Sequence, residues 1–234
     1  MIYRKALFTI AVVLFLNVSF LFAGDTATFA DLGFSPDGKT YMFAQYGVQS
    51  GTLKPWADMF IVDVARNNFT GDGRISYVHD TPVISGQDGS GAFYRLIAKN
   101  GNLADKYRVN FCLQGQPLFI SLDSTASAGT QAPVEFRDFD SGASYRATLV
   151  PYIEGSGTDL KSSFYITLES TSRDGSKKTY TVGTPQLKRP LIASYRIRKV
   201  ITAPNDGSMI FIIEMKRQSG QDFDIRFMVE ALRL

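Results

Sequence analysis

Only one of the 234 residues is cysteine, one is histidine and one is tryptophan, and each scarcity removes a class of chemistry. Cys112 is alone, so no intrachain disulfide can form, and the fold must rest on its apolar core. Set within Val109-Asn110-Phe111-Cys112-Leu113, this thiol is expected to be buried and inert. His79 is the only base around which a Ser-His-Asp triad could be built. Its neighbour Asp80 would point elsewhere in an extended chain, and no Gly-x-Ser-x-Gly elbow is present to expose a nucleophile. One histidine and one cysteine also leave no zinc site of the usual ligand types, and no motif implies a cofactor.

An excess of one charge is missing too. Twenty-five Lys and Arg oppose 22 Asp and Glu. If Arg4 and Lys5 are lost with a leader, the net charge drops from +3 to +1, which leaves no electrostatic case for a nucleic-acid partner. The pairs Lys177–Lys178 and Lys188–Arg189 read as solvated turn and strand-end residues. Beyond residue 22 no run is long and apolar enough to span a membrane.

What is present begins with that first run. Arg4 and Lys5 precede a stretch from Ala6 to Phe22 that is apolar except for Thr9, Asn17 and Ser19, followed by Ala23, Gly24 and the polar Asp25. These are the three parts of a secretory signal. The expectation is a removable signal peptide over residues 1–24 and one β-rich exported domain over 25–234, periplasmic or secreted from a bacterium. An uncleaved anchor is the alternative.

The dominant hydrophobic period in that domain is two. Short β-branched and aromatic segments predict strands at 40–45, 58–64, 117–122, 134–139, 144–153, 163–171, 179–182, 195–202, 208–216 and 223–231. Turn formers separate them, among them Ser35-Pro36-Asp37-Gly38 and Pro204-Asn205-Asp206-Gly207. Gly38 and Gly207 are expected to supply positive φ there, whereas Gly155 reads as part of an adaptable surface loop. Residues 91–99 break the pattern: Phe93, Leu96 and Ile97 recur at helical spacing, with one or two further turns over 103–107. Residues 67–87, rich in Gly, Asp and Asn, read as a weakly patterned loop.

The two ends look alike, each running strand, Pro/Asp/Gly turn, strand, loop, strand. The fold class is therefore mainly β: antiparallel meanders, with blade-like three-stranded units at both ends, forming a sandwich or an incomplete propeller-like domain with one short helix.

Phe34-Ser35-Pro36-Asp37-Gly38-Lys39 followed by Asp58-Met59-Phe60-Ile61-Val62-Asp63 resembles one blade of the WD40-like repeats of exported propellers, though a ring needs about four blades or more. A closer resemblance rests on Gly33 to Gly38, on Phe43-Ala44-Gln45-Tyr46-Gly47-Val48-Gln49-Ser50-Gly51 and on Ile61-Val62-Asp63-Val64, with an echo at Tyr195-Arg196-Ile197 and Arg226-Phe227. These segments are similar to an uncharacterised family of predicted secreted bacterial proteins (domain of unknown function 2259). That resemblance implies export and a β-rich fold, and it brings no catalytic residues.

Candidate sites are few. Asp138 and Asp140 share a face if residues 134–140 stay extended and are candidate calcium ligands, against a plainer reading as solvated turn acids. Asp72 and Asp80 permit a similar reading without a full calcium-loop spacing. Glu135 with Asp63 is the pair a carboxylate-dependent glycan hydrolase would need. Tyr46 and Trp56 flank the 47–55 loop, where exposed aromatics would suit a glycan or an envelope protein, unless Trp56 merely folds over the end of the sheet. The leading expectation is a non-enzymatic extracytoplasmic module, binding or structural; the glycan hydrolase is the alternative.

Overall fold

The computed structural model describes residues 24–84, 86–122, 131–204, 206–220 and 222–233; the expected leader, apart from Gly24 at its end, lies outside the described residues. Thirteen strands in three antiparallel sheets and two short helices make up the described regular structure, beside one 3-10 turn. Sheet 1 is the meander β1 (Thr28–Phe34), β2 (Thr40–Val48), β3 (Pro55–Asp63) and β4 (Asn68–Val78). Two helices follow, α1 (Ser90–Lys99) and α2 (Gly101–Lys106), and then β5 (Gln116–Ile120). Sheet 2 holds β6 (Val134–Arg137), β7 (Ser144–Glu154), β8 (Lys161–Thr171), β9 (Lys177–Val182) and β10 (Arg189–Pro190). Sheet 3 sets the C-terminal meander β11 (Ile192–Thr202), β12 (Met209–Ser219) and β13 (Asp222–Leu232) beside β5.

The cores show how these layers stack. In β12, Met209, Phe211 and Ile213 belong to the core shared with sheet 2, whereas Ile210 and Ile212 belong to the core shared with sheet 1. Five consecutive apolar residues are needed because sheet 3 is covered on both faces. Sheet 1 is covered on both faces too. Tyr41 and Phe43 pack toward sheet 3, and Met42, Ala44, Met59 and Ile61 pack under Phe93 and Leu96 of α1. The order of layers is helices, sheet 1, sheet 3, sheet 2. This is a mainly β sandwich with one extra sheet. Burying a residue such as Phe211, fully enclosed here, contributes about 1.5–3 kcal/mol.

All ten expected strands are present, and the helix expected over 91–99 is α1. The two Pro/Asp/Gly turns match in detail. Ser35 N–H donates to the Thr40 carbonyl (2.9 Å) and Ala203 N–H to the Ser208 carbonyl (2.7 Å), while Gly38 and Gly207 both take φ 68°.

Three local expectations are corrected. The expected loop over 67–87 contains β4, an 11-residue edge strand. Its alternation is hidden by Gly71-Asp72-Gly73 at a register shift opposite Phe60 and Val62, and a side chain at Gly73 would meet the Ile61 carbonyl at 2.5 Å. Cys112 is exposed. It lies in a turn closed by Leu113 N–H on the Asn110 carbonyl, with its own N–H capped by Asn110 Oδ1 at 2.9 Å; Val109 and Leu113 pack inward instead. Gly155 is constrained rather than adaptable, with φ 73° and a β-carbon position only 2.7 Å from the Asp159 carbonyl.

Candidate functional site

β13 is an edge strand of the central sheet, and an edge leaves alternate N–H groups without a ladder partner. Here each of three is covered differently. Ile225 N–H donates to the Asp25 carbonyl at 2.8 Å, Phe227 N–H to Gln45 Oε1 at 2.8 Å and Ala231 N–H to Asn67 Oδ1 at 2.6 Å. Near the first of these, Arg226 reaches Asp25 at 2.7 Å with its guanidinium over the Trp56 ring at 4.3 Å. Burial pushes the Asp25 carboxyl above the ordinary range, and the charge of Arg226 opposes it.

The last of these contacts organises a site. Asn67 sits in the β3–β4 turn at φ 47°, a left-handed conformation that Asn tolerates better than most residues. From there its side chain crosses to sheet 3 and binds twice. Besides accepting from Ala231, it donates through Nδ2 to Glu230 Oε2 at 2.5 Å. Glu230 shares a face with Met228 and Leu232, toward sheet 2, where Arg189 of β10 donates through Nη2 at 3.3 Å. The side chains of Glu230 and Arg189 are only 5% and 16% exposed. One carboxylate thus joins all three sheets. Burial pushes its titration above the usual glutamate range, against the pull of the Asn67 hydrogen bond and the Arg189 charge.

A cleft of about 420 Å³ opens at this junction. Val62, Phe69, Leu187, Met228 and Val229 make its apolar lining, and Arg66 and Arg74 bring further cations. The Arg74 guanidinium lies over the Phe69 ring at 4.1 Å. Arg66 extends into solvent with Asp63 as its ion-pair partner at 3.7 Å.

The residues singled out from sequence lie elsewhere. Gly47 pairs with Trp56 and Tyr46 with Ala57, so adjacent rungs send Tyr46 and Trp56 to opposite faces. Tyr46 stacks on Phe93 of α1 at 5.0 Å, and Trp56 is 5% exposed in the core between sheets 1 and 3. The two aromatics form no common surface. β6 ends at Arg137, so Asp138 and Asp140 are not alternate residues of a strand. The Asp138 carboxylate closes a turn, accepting from Asp140 N–H at 2.9 Å and Ser141 Oγ at 2.6 Å. Burial pushes this carboxyl up, but the bonds from Ser141 and Asp140 outweigh it and hold it below the usual range. No group of three or more His, Cys, Asp or Glu side chains is placed to hold a metal among the described residues. Glu135 pairs with Arg146 on the outer face of sheet 2, and Asp63 lies in sheet 1. His79 accepts from Thr81 N–H at 3.0 Å, and Asp72 is held by Lys106 at 2.6 Å.

Sequence reasoning passed over Asn67, Arg189 and Glu230. Arg189 is not the solvated strand-end residue its pairing with Lys188 implied. The available signal was Glu230 itself, a lone acid inside Phe227-Met228-Val229-Glu230-Ala231-Leu232. No helix among the described residues is long and apolar enough to cross a membrane.

A family model described as "Predicted secreted protein (DUF2259)" matches residues 42–233, a span that takes in every residue of the junction. No curated protein and no solved structure matches the chain.

Proposed function

The chain belongs to this family of predicted secreted proteins, and from that premise we propose that it is an extracytoplasmic binding module, periplasmic or released outside a bacterial cell. Its partner is an envelope glycan or envelope protein, taken up at the three-sheet junction. The observation that carries this reading is the state of Glu230. Among the described residues it is the one carboxylate lining the cleft, and both Asn67 and Arg189 already hold it. A group held this way shapes a site; it is poorly placed to exchange protons with a bound molecule.

The alternative, a glycan hydrolase, needs two carboxylates facing each other across a substrate. Glu135 and Glu169 both stand opposite Arg146 in the ladder of sheet 2, and Glu135 is taken up by the Arg146 guanidinium on an exposed face.

The test is to incubate the protein recovered after export with envelope glycan and follow both fractions. A binding module retains material of unchanged mass and releases no new reducing ends. Release of reducing ends in proportion to protein and time would replace this reading with the hydrolase.

A further inference from the structure

The cleft at the junction is electrostatically unbalanced. Three guanidinium groups, those of Arg66, Arg74 and Arg189, line it with one carboxylate, Glu230. The Glu230–Arg189 pair is largely buried and accounts for one cation. Among the described residues Arg66 has only Asp63 as an ion-pair partner, at 3.7 Å with 84% of its own side chain exposed, and an ion pair of that geometry holds weakly. Arg74 has no carboxylate within ion-pair distance among the described residues. Its contact is the face of Phe69. A guanidinium held over a ring face can still donate N–H bonds along its edge.

The remaining wall suits a small polar molecule with an apolar side. Asn68 uses Oδ1 to accept from Phe69 N–H at 2.8 Å, which leaves its Nδ2 group to donate. Leu187, 53% exposed, and Met228 offer apolar contact. The volume, about 420 Å³, lies within the range of roughly 300–1,000 Å³ typical of small-molecule sites.

We propose that this cleft binds an oxyanion, a carboxylate or a phosphate carried by a compact envelope molecule, through Arg74 and Arg66. The proposal rests on the binding-module reading of the same site and gives it a ligand chemistry. Arg74 supplies the oriented pair of donors, Arg66 closes over the charge from the rim, and Asn68 hydrogen-bonds beside them. Glu230 holds Arg189 and the cleft walls in place without meeting the anion.

The experiment is calorimetric titration of the exported protein with inorganic phosphate, with glucuronate, and with glucose as the neutral control. The expected result is saturable binding of at least one anion and none of glucose. Added sodium chloride should weaken it, and Arg74→Glu or Arg74→Gln should weaken it about tenfold or more. Arg95→Glu, an exposed change on α1 away from the cleft, should bind as the parent does. Binding of phosphate alone identifies a phosphorylated ligand, and binding of glucuronate alone an acidic sugar. The proposal is overturned if neither anion binds at about 10 mM, if glucose binds equally well, or if folded Arg74 variants bind like the parent. If anion binding fails while intact envelope material is still retained, the binding-module reading stands and only the oxyanion chemistry falls.

Discussion

Asn67 and Glu230 are 163 residues apart in the chain and share a 2.5 Å hydrogen bond. The same asparagine side chain accepts from Ala231 N–H, so a single residue in the turn of sheet 1 fastens the edge strand of sheet 3. Arg189 reaches the same carboxylate from sheet 2. The cleft exists because three layers converge on this point.

Two substitutions at Asn67 separate its two contributions. Asn67→Gly keeps the positive φ without strain and removes both side-chain bonds, one of them to a buried carboxylate. It should destabilise the fold by about 2–4 kcal/mol. Asn67→Ala should cost about 1–2 kcal/mol more, because a β-carbon disfavours the left-handed region. Denaturant unfolding measures both. Equal losses would mean that the turn relaxes, and a negligible loss in Asn67→Gly would remove the clasp from the account.

Burial raises the Glu230 carboxyl above its value in the unfolded chain. Between the ordinary glutamate range and that raised value, the folded chain keeps a proton that the unfolded chain has released. Stability therefore falls as pH rises through that window. Asp25 and Asp31 are also raised by burial, but they are common to the parent and Glu230→Gln and cancel in the difference. Parent minus variant stability should decline with rising pH across the window and be flat on either side. A difference that grows with pH would mean that Arg189 and Asn67 outweigh burial.

Gly155→Val should be at least as damaging as Gly38→Val. Both positions need positive φ, a strain of roughly 1–3 kcal/mol for a β-branched residue. At Gly38 the new side chain would meet the Asp206 carboxylate at 2.9 Å, which can swing aside, whereas at Gly155 it would meet the Asp159 backbone carbonyl at 2.7 Å. Paired denaturant melts rank them, and a clearly milder Gly155→Val would restore the adaptable-loop reading.

Cys112 should react with a thiol-specific chromogenic reagent in the native protein, without denaturant, because it is exposed in the Asn110–Leu113 turn. Protection until unfolding would place it in the core after all.

The strands were legible from sequence because the β-branched and aromatic residues cluster between turn formers. Their layering was not. Met209-Ile210-Phe211-Ile212-Ile213 reads as a strand, but only its assignment to two different cores reveals a central sheet. β4 was missed because Gly71-Asp72-Gly73 interrupts its alternation at a bulge. Tyr46 and Trp56 flank one loop in the sequence, but only the ladder register shows that they leave the sheet on opposite faces, Tyr46 onto α1 and Trp56 into the core between sheets 1 and 3. The junction was illegible for a different reason. Asn67, Arg189 and Glu230 come from three separated segments, and no local spacing records that they meet.

The most direct measurement compares what the exported protein and an Arg66→Glu/Arg74→Glu variant each retain from an envelope extract, with both shown to be folded by circular dichroism and the bound species identified by mass. The account predicts at least one species held by the parent and lost from the variant. An identical set on both proteins, or nothing on either, would contradict it.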